Sequence, residues 1–243
     1  MTYCLALKLD DGLVCLADTR TNAGVDNISR FRKMFTWHIP GDRVIVMMTA
    51  GNLAITQAVI SLLQENIDNP KEGIETITEA TSMFRVAEIV GDAMQFVQSR
   101  YAKGFAATGE SGSSSIVVAG QREGGTPRLF QVYTAGNFIE ATDDTPYFQI
   151  GEFKYGKPIL DRVITTDTPI DVAVTASLLS MDSTLRSNLS VGMPLDLAVI
   201  RTDTLDFEQH RRIEEQDEAF AELSEAWSRE LRAAFDTMVQ ITA

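Results

Sequence analysis

Cysteine and histidine are scarce in this chain. Of 243 residues, two are cysteine (Cys4 and Cys15) and two are histidine (His38 and His210). Two thiols make no disulfide framework, and the expected compartment is a reducing cytoplasm. Neither histidine stands in a metal-binding spacing such as H-E-x-x-H, so no metal is expected. Basic runs are missing as well. The chain has 21 Lys and Arg against 34 Asp and Glu, a net charge of −13, with no basic cluster to neutralise phosphates. A nucleic-acid partner is therefore not expected. An acidic balance of this kind needs no explanation beyond keeping chains apart in solution.

Long apolar runs are absent too. The longest, such as residues 44–50, are far too short to span a bilayer, so no membrane partner is expected. The first residues lack the basic segment, apolar stretch and cleavage site of a secretory signal. No G-x-x-x-x-G-K-[ST] appears, so the chain carries no ATPase loop of its own. Residues 109–113 miss the G-x-S-x-G nucleophile elbow by one position and read as a Gly/Ser surface connection.

What is present is ordinary globular material, with 44% apolar residues, enough for a sizeable core. Residues 3–9 read as a strand, Asp11-Gly12 as a hairpin turn, and 13–18 as the returning strand. A second pair, 33–39 and 44–49, surrounds Pro40-Gly41-Asp42. Leu53, Val59, Ile60, Leu63 and Ile67 mark one helix; Val86, Ile89, Val90, Ala93, Phe96 and Val97 mark another. A loop is expected over 104–114, then strands at 115–119, 128–133, 137–140 and 148–151. Helices follow at 157–164 and 170–181, then a strand at 195–201. The last segment, 217–238, is amphipathic. Its stripe of Phe220, Leu223, Trp227, Leu231, Phe235 and Met238 suits core packing or a subunit contact. With no repeat and no linker, this order fits two antiparallel sheets packed face to face with helices outside both.

The hairpin brings the N-terminus beside residues 18–21. With Asp11-Gly12 as the turn, Thr2 faces Thr21, Cys4 faces Thr19 and Cys15 faces Lys8. A Cys4–Cys15 bond is then not expected. Thr2 is small enough for an aminopeptidase to remove Met1. That leaves one residue with both a hydroxyl and an α-amine of pKa about 8, a base able to activate its own Oγ.

The run Ala17-Asp18-Thr19-Arg20-Thr21-Asn22-Ala23-Gly24, followed by Lys33 and by Met48-Thr49-Ala50-Gly51, resembles the proteasome β-subunit family of N-terminal nucleophile hydrolases. Within that family, residues 150–162 (I-G-E-F-K-Y-G-K-P-I-L-D-R) and 179–190 (L-S-M-D-S-T-L-R-S-N-L-S) look like the bacterial ancestral type called Anbu, with HslV a more distant relative. The resemblance runs through essentially the whole chain. It implies an α+β, four-layer αββα sandwich and a single peptidase domain over 1–243 ending in the amphipathic helix.

It also implies roles. Thr2 matches the nucleophile, Lys33 the active-site lysine, Asp18 its acidic partner, and Gly51 the oxyanion-hole glycine. Ser190 matches the serine near the terminal amine, and Thr21, Ala23 and Thr49 match substrate-pocket positions. Two positions depart from the family. Glu152 stands in place of a serine near the nucleophile, and Ser187 in place of an aspartate. The implied reaction is peptide-bond hydrolysis through an acyl-ester on Thr2, without cofactor, in a ring or open spiral of identical subunits. The substrate would be a peptide or unfolded protein. Two rival readings stay open: a non-catalytic assembly or binding protein, or a non-proteolytic amidase on the same fold.

Overall fold

The computed structural model describes residues 1–22 and 28–242, with backbone alone at Asn22, Ile28 and Thr242. The strands are β1 (Tyr3–Leu9), β2 (Gly12–Asp18), β3 (Arg20–Asn22), β4 (Ile28–Arg30), β5 (Met34–Ile39) and β6 (Arg43–Gly51), then β7 (Ser114–Arg122), β8 (Arg128–Val132), β9 (Phe138–Glu140), β10 (Tyr147–Gly151), β11 (Leu195–Arg201) and β12 (Phe207–Ile213). The helices are α1 (Leu53–Asp68), α2 (Met83–Thr108), α3 (Lys157–Val163), α4 (Ile170–Ser187) and α5 (Glu218–Thr242).

Two five-stranded antiparallel sheets form, in the orders β10-β1-β2-β11-β12 and β5-β6-β7-β8-β9, beside a small β3-β4 ribbon. Side chains alternate across each strand, and here both faces are buried. Tyr3, Leu5 and Leu7 of β1 join Leu160 of α3 and Ala173 and Met181 of α4 in one apolar cluster. Cys4 and Ala6 point the other way, to Val46 and Met48 of β6 and Val117 of β7. The outer face of that second sheet, with Met47, Val118 and Phe130, carries α1 and α2. The layers are therefore αββα, as the resemblance implied. On β1 the seam takes Cys4 and Ala6, while the helix-facing cluster takes Tyr3, Leu5 and Leu7.

Several sequence expectations need correction. The hairpin turn is Asp10-Asp11, and the register is Leu9↔Gly12, Cys4↔Ala17 and Ala6↔Cys15. The expected pairs Cys4 with Thr19 and Cys15 with Lys8 are thus displaced, and Thr2 is not paired with Thr21. Gly12 belongs to the strand because of its neighbour. A Cβ there would meet the Ile200 carbonyl of β11 at 2.0 Å. Its φ of 148° also favours glycine. The loop expected over 104–114 is helical as far as Thr108, carried by Phe105, Ala106 and Ala107, and stops at Gly109 in the left-handed conformation (φ 71°). β12 has no counterpart among the expected strands because Glu208, Gln209, Arg211 and Arg212 give it a polar edge-strand sequence.

The C-terminal helix divides in two. Phe220 and Leu223 pack against the α4 side of the molecule. Ser224 donates to the Asp182 carboxylate at 2.6 Å, and Arg186 donates to both. Beyond that latch Leu231, Phe235, Met238 and Val239 are exposed, Phe235 by 69%.

Candidate active site

β1 lies between β2 and β10, so its first residues are held on both edges. The Thr2 carbonyl accepts the Glu152 N–H at 2.7 Å, just past the Tyr3↔Gly151 pair. Gly151 makes this approach possible. Its φ is +86°, and a Cβ would stand 1.9 Å from the Thr2 carbonyl oxygen. Any other residue would push the two chains apart.

Asp18 ends β2 and is fully buried. Its Oδ1 accepts the Tyr3 N–H at 2.9 Å and the Lys33 ammonium at 2.7 Å, and its Oδ2 accepts the Gly192 N–H at 3.2 Å. Burial pushes this carboxyl above the usual aspartate range, and the Lys33 ammonium and the two amides oppose that rise.

Lys33 precedes β5 and is 2% exposed. Its three donor protons all have acceptors: Asp18 Oδ1 at 2.7 Å, the Arg20 carbonyl at 2.6 Å and the Met1 carbonyl at 3.2 Å. The Met1 carbonyl oxygen is two covalent bonds from the Thr2 nitrogen, so the ammonium sits beside the terminus. The α-amino group, here on Met1, is held below its ordinary value by burial and by Lys33, against the pull of Asp18 and Glu152. The Lys33 carbonyl in turn accepts the Thr49 N–H at 3.0 Å, tying the lysine to β6.

Thr2, Thr21, Lys33, Thr49, Gly51 and Glu152 line one cavity of about 490 Å³, with Met1, Ala50, Leu53, Thr56 and Gly151. Asp18 stands behind it through Lys33. Gly51 ends β6 at φ +101°, where a Cβ would meet the Ser113 carbonyl at 2.3 Å. Asn52 then caps α1 by accepting the Ile55 N–H. The turn Gly51-Asn52 thus swings α1 so that Leu53 and Thr56 form part of the wall.

Ser190 and Ser187 do not line this cavity. Ser187 is the exposed last residue of α4, and Ser190 is half-buried in the segment after it. Ala23 falls outside the described residues. Residues 189–194 are fastened to the β2–β3 bend: Arg20 donates to the Leu189 carbonyl at 3.1 Å and Thr19 Oγ1 to the Pro194 carbonyl at 2.7 Å.

Sequence reasoning missed the parts played by Gly151, Gly192, Leu53, Thr56 and the Arg20 carbonyl. Backbone groups carry no sequence signal. The two glycines were the only readable hints. Both cysteines are free and buried. Burial raises the Cys4 thiol, and it pushes Cys15 up to about 12, so neither offers a thiolate near neutral pH. Among the described residues no helix is long and apolar enough to cross a membrane.

A family model described as proteasome subunit matches residues 2–200. No curated protein matches the chain. Solved structures do. A mutant (Gly-1) of Anbu from Hyphomicrobium sp. strain MC1 is 52% identical, with a TM-score of 0.89, over 97% of each chain. Anbu, an ancestral β-subunit, from Yersinia bercovieri is 45% identical, with a TM-score of 0.90, over 96% of each chain. A helical assembly of the Anbu complex from Pseudomonas aeruginosa is 46% identical, with a TM-score of 0.90, over 97% of this chain and 96% of that one.

Proposed function

The chain belongs to the proteasome subunit family, as a member of its Anbu type, and we propose that it is a threonine-type endopeptidase subunit of a cytoplasmic homo-oligomer. The observation that carries this reading is the set of Lys33 donors. One is spent on Asp18 and one on the Arg20 carbonyl, and the third is held by Met1 alone. Removing Met1 frees that donor and creates the α-amine on Thr2 in a single step.

In the mature chain Thr2 Oγ attacks the scissile carbonyl carbon, and its proton passes to the α-amine directly or through water. The Lys33 ammonium favours the alkoxide and discourages protonation of the amine. The Gly51 N–H, at the end of β6, stabilises the tetrahedral oxyanion. The C–N bond breaks as the amine returns its proton to the leaving nitrogen. Water, with the same amine as base, then hydrolyses the ester. Asp18 is the counter-charge that keeps Lys33 ionised and in place. Glu152, whose carboxylate acts on the terminal amine, takes the place of the missing serine as the acid tuning that amine. An unchanged pH–rate profile in Glu152→Gln would count against this role for Glu152.

Thr21 and Thr49 line the acyl side of the cavity, and Ala23 is assigned to that side by the resemblance. Ser187 and Ser190 are retained as candidates for the polar network of the terminus. The whole of 1–243 is read as one peptidase domain ending in α5. The exposed stripe on α5 is the surface by which copies associate into a ring or open spiral. Phe235→Asp with Met238→Asp should lower the assembly mass in light scattering.

Intact mass of the protein from its native host, taken before and after exposure to an epoxyketone, tests the central reading. The expected outcome is loss of one methionine and an adduct that disappears in Thr2→Ala. A second reading, a non-catalytic assembly protein, is favoured by Ser187 and Ser190 lying off the cavity. A chain that keeps Met1 and takes no adduct would establish it. A mature, labelled chain that cleaves small amides and no peptide would establish an amidase instead.

A further inference from the structure

A second cavity, of about 550 Å³, adjoins the first and shares Ala50, Gly51 and Gly151 with it. Thr2, Thr21, Lys33 and Thr49 line the first cavity and not this one. Its character differs. Hydroxyl and carboxamide side chains line it, among them Ser115, Gln131, Tyr133, Thr134 and Asn137, with no charged side chain.

Its floor is rigid. The Ser114 N–H donates to Thr134 Oγ1 at 3.0 Å, and that hydroxyl donates back to the Ser114 carbonyl at 2.8 Å. Ser114 Oγ donates to the Gly112 carbonyl at 3.1 Å. The side chains of Gln131, Tyr133 and Asn137 bond no other described residue. Three polar groups beside that hydrogen-bonded frame, next to a candidate nucleophile and free of internal partners, form a site that asks for an external hydrogen-bonding ligand.

We propose that this cavity is the subsite for the leaving half of the substrate, and that it selects an uncharged polar side chain, such as Ser or Asn, immediately after the scissile bond. The inference rests on the Thr2 reading above. A peptide whose acyl half lies beside Thr21 and Thr49 must cross Thr2, and its continuation enters the groove beyond Gly51 and Gly151. There a Ser or Asn side chain meets Gln131, Tyr133 and Asn137. A Leu at that point leaves those groups unpaired. An Asp or Lys loses hydration without gaining a counter-charge.

The test uses four peptides with one acyl half and Ser, Asn, Leu or Asp after the scissile bond, incubated with the mature assembled protein. Cleavage is followed by mass spectrometry, and epoxyketone labelling runs in parallel. The wild type should cut the Ser and Asn peptides about tenfold faster, in kcat/KM, than the Leu peptide, the scale of one hydrogen bond gained or lost. In Asn137→Leu and, separately, Gln131→Leu, the Asn/Leu ratio should fall toward one. Because the ratio is taken within each variant, any loss of folded protein cancels. Labelling with equal cleavage of all four peptides, or ratios unmoved in both variants, would overturn the subsite and leave the Thr2 reading standing. No label and no cleavage in wild type would overturn the Thr2 reading itself, and the subsite with it.

Discussion

Two lysine–aspartate pairs in this molecule have the same length and different physics. Lys33 and Asp18 meet at 2.7 Å between β2 and β5, and Lys157 and Asp161 meet at 2.7 Å along α3. The side chains of the first pair are 3% and 0% exposed, those of the second 46% and 49%. The two carboxyls respond in opposite directions. Burial drives Asp18 up. Asp161, out in solvent, is held below the ordinary aspartate range by hydrogen bonds from Lys157 and Tyr147. Distance alone therefore says little about what an ion pair does. What surrounds the charges decides whether the pair is a constraint or a decoration.

The comparison can be broken by removing one member of each pair. Lys33→Met strands the Asp18 carboxylate in the interior and should cost about 3–5 kcal/mol in urea unfolding. It should also abolish epoxyketone labelling. The double variant Lys33→Met with Asp18→Asn removes both charges. It should be more stable than either single variant, while labelling stays lost. That outcome would separate a structural need for the pair from its chemical one. A double variant no better than the singles would mean that Asp18 acts through its amide partners, Tyr3 and Gly192, more than through its charge.

On α3 the same surgery should barely register. Lys157→Met is expected to change stability by no more than about 0.5 kcal/mol. That small effect should shrink further in 1 M salt, where exposed charges are screened within about 3 Å. The smallest effect is in pH. Asp161 has a folded pKa below its unfolded value. Its contribution is therefore complete above the unfolded value of about 4 and is lost as pH falls through the folded one. Wild type and Asp161→Asn should accordingly differ slightly at neutral pH and converge in acid, in thermal melts across that range. A difference that grows in acid would reverse the assignment.

How far the sequence can be read follows the same division between local and tertiary causes. Alternation in 3–9 and i, i+3, i+4 spacing in α1 and α2 are local, and pattern alone marks those elements. The β1–β2 register escapes such reading because Gly12 looks like a turn residue locally. Its real constraint is the Ile200 carbonyl, nearly two hundred residues away in the chain. β12 has a polar edge sequence and is invisible to pattern. At the site, Asp18, Lys33 and Gly51 are nominated by resemblance, since no spacing rule joins them, while Thr2 is also marked by carrying a hydroxyl next to a potential terminal amine. Their convergence depends on three separate strand ends, β2, β5 and β6, plus the terminus. The groups around them are illegible because they are backbone: the carbonyls of Met1 and Arg20 and the N–H groups of Tyr3, Glu152 and Gly192.

The ladder that holds β1 on both edges acts as a ruler for the start of the chain. A slip of one residue would exchange Tyr3 with Cys4 between the helix layer and the seam, so the strand cannot advance or retreat. Laboratory handling inherits this. A single residue left ahead of Thr2 by tag cleavage would be seated by the same ladder against Lys33, where the Met1 carbonyl now sits. Preparations with and without such a remnant are, at the terminus beside Lys33, chemically different proteins.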